Sequence, residues 1–77
     1  MNVIKKYRHW RYKRMTQRSW DKFLTGRLPL VCLENELWYA RIYANGGRKW
    51  LKSMTAKEGL QKRRELIRDV HNALKEL

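Results

Sequence analysis

The chain has 77 residues, nineteen of them Lys or Arg against seven Asp or Glu, for a net charge of +12. That length supports one small domain with a marginal core, and the charge favours polyanionic partners whose binding weakens as salt rises. The single cysteine, Cys32, excludes an internal disulfide, and Cys32 with the separated His9 and His71 gives no metal-ligand spacing; no apolar run is long enough to cross a bilayer. The expectation is a cytoplasmic protein without cofactor, metal site or membrane partner.

Residues 1–18 are the most basic stretch, carrying Lys5, Lys6, Arg8, Arg11, Lys13, Arg14 and Arg18 before the first acid, Asp21. Tyr7, Trp10, Tyr12 and Met15 interrupt the cations. The apolar positions roughly fit a helical stripe, but like charges one turn apart repel. The segment therefore reads as a flexible or conditionally helical arm that a partner orders. The alternative is that Tyr7 and Trp10 dock on the rest of the chain as core.

Residues 19–77 read as one α+β domain. A short helix over 17–25, capped by Thr16 or Ser19, places Trp20, Phe23 and Leu24 on one side as core and ends at Gly26. Residues 28–33 are nearly all apolar, bounded by Gly26 and by a tight turn at Glu34-Asn35-Glu36, and suggest a first strand with Pro29 at its edge or start. Cys32 within it reads as a small buried hydrophobe.

Residues 37–44, with Trp38, Tyr39, Ile42 and Tyr43, and residues 48–54, with Trp50 and Leu51, flank Asn45-Gly46-Gly47, a strong hairpin signal. An Asn45-Gly46 turn is preferred, because Gly46-Gly47 would set Arg41 against Lys52. Side chains alternate along a strand, so one face carries Trp38, Ala40, Ile42 and Ala44 with Lys49, Leu51 and Ser53 of the return strand, and is mostly apolar. The other carries Tyr39, Arg41, Tyr43, Arg48, Trp50 and Lys52, aromatics interleaved with cations.

Residues 56–76 hold the clearest helix. Thr55 is its N-cap, and Thr55-x-x-Glu58 has capping-box spacing. Leu60, Ile67, Val70, Leu74 and Leu77 form an apolar stripe, widened by Leu66 and Ala73. This helix is expected to cover the Trp38 face of a three-stranded antiparallel sheet, leaving the aromatic–basic face open to a groove of nucleic acid. In the competing arrangement, Trp20 and Phe23 fold over Trp50 and Tyr43.

Trp38-Tyr-Ala-Arg-Ile, the glycine turn, Arg48-Lys49 and Thr55-Ala-Lys-Glu58 opening a helix resemble the arm-type DNA-binding domain of phage and transposon integrases. That domain is related to the plant ethylene-response DNA-binding domain. The resemblance spans about residues 28–77. It implies a sheet inserted into the major groove, with Tyr39, Arg41, Tyr43, Arg48, Trp50 and Lys52 facing DNA.

The functional expectation is a small non-enzymatic protein of phage or mobile-element origin that binds double-stranded DNA through this face while Lys5, Lys6, Arg8, Arg11, Lys13 and Arg14 grip neighbouring phosphates. RNA binding, including attachment to ribosomal RNA, is the alternative; docking on an acidic host protein is the third. Asp21, Glu34, Glu36, His9 and His71 show no catalytic spacing, so no catalytic residue is assigned.

Overall fold

The computed structural model describes residues 3–77, so Met1 and Asn2, the start of the expected arm, lie outside the described residues. The described chain is all-helical: α1 (Val3–Leu24), α2 (Leu30–Asn45), α3 (Arg48–Lys52) and α4 (Ala56–Lys75). The expected α+β fold is therefore overturned. Residues 28–33, 37–44 and 48–54 form no strands, and a sheet-based integrase arm-type domain does not fit.

The reason lies in what separates the apolar runs. Glu34-Asn35-Glu36 contains neither Gly nor Pro, and Leu, Glu and Ala around it are good helix formers. Helix α2 therefore runs straight through the supposed turn. Leu33, Leu37 and Ala40, spaced four and three apart, fall on one helical side and are buried. Pro29, extended at φ −63° and ψ 155°, precedes the helix, where its missing N–H is no loss. Its carbonyl accepts from the Cys32 and Leu33 amides, both at 3.0 Å.

Asn45-Gly46-Gly47 does turn the chain, but between helices. Gly46 (φ 123°) donates to the Tyr43 carbonyl at 3.3 Å and Gly47 (φ 71°) to the Ile42 carbonyl at 2.8 Å. This is the hydrogen-bond pattern of a Schellman cap. A hairpin turn and a helix stop both need positive φ, which glycine supplies without strain. The five-residue α3 follows, anchored by Trp50, whose ring lies 5.8 Å from that of the buried Trp38.

The arm and the expected short helix are one continuous helix, α1. Repulsion between cations one turn apart costs only roughly 0.2–0.5 kcal/mol per pair. The side carrying Arg8, Tyr12, Met15, Ser19, Trp20 and Phe23 is buried or half-buried, and α1 packs along α2. Tyr7 and Trp10 do not dock as core; they are 52 % and 54 % exposed. Gly26 caps α1 in the same manner as Gly46 caps α2, with Gly26 N–H to Phe23 and Arg27 N–H to Lys22.

Helix α4 opens on the full capping box. The Glu58 amide donates to Thr55 Oγ1 at 3.2 Å and the Thr55 amide to Glu58 Oε1 at 3.4 Å. Leu66 and Val70 are buried, but Leu60, Ala73 and Leu77 are exposed, so the buried stripe is narrower than the sequence suggests.

Helix α2 is the centre of the molecule, with α1 and α4 on different sides. Glu36 accepts from Ser19 of α1 at 2.7 Å, whereas Glu34 meets His71 of α4 at 3.2 Å and Asn35 accepts from Arg63 of α4. Leu33, Leu37, Trp38, Leu66 and Val70 form the core, with Trp20, Phe23, Leu28, Leu30, Ile42, Trp50 and Leu74 around it. The result is a flattened body of 34 × 31 × 20 Å. Its 13.3 Å radius of gyration exceeds the about 11.5 Å expected of a compact chain this long.

Candidate nucleic-acid interface

The aromatic–basic face expected on a sheet is dispersed. Residues two apart in a helix lie about 200° apart around its axis, so Arg41 is turned away from Tyr39 and Tyr43, which stand one turn apart on α2. Tyr39 is 65 % exposed, while Arg41 and Tyr43 are half-buried. Trp50 turns inward onto Trp38, whereas Arg48 and Lys52, one turn apart on α3, remain exposed. A β-hairpin interface built from these six residues does not exist.

The N-terminal cations fare differently, because α1 orders them. Lys5, Lys6, Arg11, Lys13 and Arg14 are exposed. Arg8 is half-buried, its guanidinium reaching Gly46 at the end of α2. There the C-terminal end of the helix dipole carries partial negative charge that suits a cation. Arg8 thus belongs to the α1–α2 contact.

Arg11, Arg14, Arg18 and Lys22 follow one another at intervals of three, four and four. Such spacing places them in a single row along α1, about 16 Å from end to end. With Trp10, Met15, Gln17, Asp21, Thr25 and Arg27 they line an open groove of about 930 Å³. The Arg14 guanidinium stands 5.3 Å from the centre of the Trp10 ring, within cation–π range. Trp10 in turn lies 6.1 Å from Tyr7. Aromatic and cationic side chains are interleaved here after all, on a helix and at different positions from those expected on the hairpin.

Few acids answer this charge. Among the described residues the ion pairs are Lys22 with Glu36 at 4.0 Å and His71 with Glu34 at 3.2 Å. Asp21 is the one acid within α1. Arg11, Arg14 and Arg18 have no carboxylate partner within the described chain.

Two features escaped sequence reasoning. Arg18 and Lys22 belong to the row, and their spacing from Arg11 and Arg14 would have shown it had α1 been read as continuous. The polar run Glu34-Asn35-Glu36, read as a turn, holds α2 between its neighbours. A sign of this was available in the lack of any Gly or Pro within it.

Among the described residues no group of three or more His, Cys, Asp or Glu is arranged to hold a metal ion. No described helix is long and apolar enough to cross a membrane. No family model, curated protein or solved structure matches the chain.

Proposed function

We propose that this protein binds nucleic acid non-enzymatically, duplex DNA before RNA, through the solvent side of α1. The observation that carries the reading is the row Arg11, Arg14, Arg18 and Lys22, of which only Lys22 has a carboxylate partner among the described residues. Cations left unpaired within the fold are free to replace the counterions of a phosphate backbone, and the release of those counterions drives binding. Lys6 and Lys13, seven apart on another exposed side of α1, add positive charge to the same helix.

The preference for DNA rests on shape. A single exposed helix fits the major groove of B-form DNA, where Arg reads guanine edges, whereas the major groove of A-form RNA is too narrow and deep. Tyr7 and Trp10, half-exposed at the N-terminal end, can lie against sugars or thymine methyls.

The test is a salt-titrated binding comparison of duplex DNA, single-stranded DNA and structured RNA. Duplex DNA should bind tightest at matched salt. Arg11→Gln/Arg14→Gln/Arg18→Gln should weaken binding and flatten the salt slope by roughly 0.9 per lost phosphate contact. Unchanged affinity in that variant would remove α1 as the interface. Tighter binding to structured RNA would reverse the order of ligands.

A further inference from the structure

We propose that the outer face of α4 is a second nucleic-acid surface, so that one molecule bridges two duplex segments. The proposal rests on the reading of α1 given above and adds a second site on another helix.

Lys57, Arg64, Arg68 and Lys75 are spaced seven, four and seven apart, and all are exposed. That spacing puts them in one row along the helix. Arg64 and Arg68 each lie two positions from the buried Leu66, about 200° around the axis, and the row therefore points away from the core. Each cation is followed directly by an acid: Glu58, Glu65, Asp69 and Glu76. Neighbours in sequence stand about 100° apart on a helix and do not face each other. The acids consequently form their own row to one side. None of the four cations makes an ion pair within the described chain.

Placement makes this a second site, separate from the first. Helices α1 and α4 hold different sides of α2, through Glu36 on one side and Glu34 and Asn35 on the other. The two rows therefore lie on different helices, held against different sides of α2. Two duplexes repel, and exposed cations on two separate helices supply opposite charge to each. The acid row beside the α4 cations weakens their field, so α1 loads first and α4 captures the second duplex.

The experiment immobilises one short DNA duplex, loads it with the protein at low salt, and adds a second, fluorescent duplex. The intact protein should retain the second duplex. Lys57→Gln/Arg64→Gln/Arg68→Gln/Lys75→Gln should still bind a single duplex in solution but lose second-duplex capture, with its helical circular dichroism unchanged. Capture that persists in this variant overturns the proposal, since bridging would then run through self-association or through α1 alone. An intact protein that binds one duplex and never captures another overturns it too, while leaving α1 as the interface. An intact protein that binds no duplex at all removes the reading of α1 and the bridge with it.

Discussion

Glu34, Asn35 and Glu36 show how three consecutive polar side chains connect a small helical protein in two directions. The Ser19 hydroxyl is buried and donates to the Glu36 carboxylate at 2.7 Å, while Lys22 reaches the same carboxylate only at 4.0 Å and from an exposed position. The hydroxyl should therefore matter more than the ion pair. Ser19→Ala should cost about 1–2 kcal/mol in a urea titration, since it strips a charged acceptor of its donor. Lys22→Ala should change stability by no more than about 0.5 kcal/mol, as exposed pairs do. Equal losses from both substitutions would mean that the ion pair holds α1 to α2. Leu33 is fully buried at the centre of the core, and Leu33→Ala should cost about 2–5 kcal/mol in the same titration.

Helix ends decide how this chain is divided, and there two substitutions should act in opposite directions. Thr55→Ala breaks the capping box of α4 and should destabilise by about 1 kcal/mol. Gly59 lies inside α4 with no atom within 4 Å of the position a methyl would take and with no positive φ. Gly59→Ala should therefore stabilise by about 0.5–1 kcal/mol in thermal unfolding, and a loss instead would show that the site is crowded. The legible parts of the fold were those with two agreeing signals. The Thr55–Glu58 box coincides with the start of a helical stripe, and Gly26 follows a run with aromatics on one side. Asn45-Gly46-Gly47 was ambiguous because the same positive φ serves a hairpin or a helix stop. The aromatic and β-branched residues over 37–44 favour strands locally, yet burial of Leu33, Leu37 and Ala40 on one helical side outweighs that preference. The candidate site followed the same logic. Of the six arm cations expected to grip phosphates, only Arg11 and Arg14 fall in the row, which emerges only once α1 is continuous through Arg18 and Lys22.

Taken together, the molecule is a strongly charged body with a small core and little internal charge pairing. Packing cations along α1 and α4 raises their mutual repulsion in the folded state. Salt screens such repulsion over about 10 Å at 0.1 M. The free protein should thus become more stable as sodium chloride rises from low to moderate concentration. A fold held by ion pairs would weaken under the same change. Bound to a short duplex, the behaviour should invert. A ligand that binds only the folded chain raises the melting temperature, and this gain should shrink as salt weakens the phosphate contacts. Thermal unfolding followed by helical circular dichroism, with and without duplex across a salt series, should therefore give two curves that converge from opposite directions. A free protein whose melting temperature falls steadily with salt would show that the cations are neutralised within the fold, and α1 would then have no unpaired charge to offer a phosphate backbone.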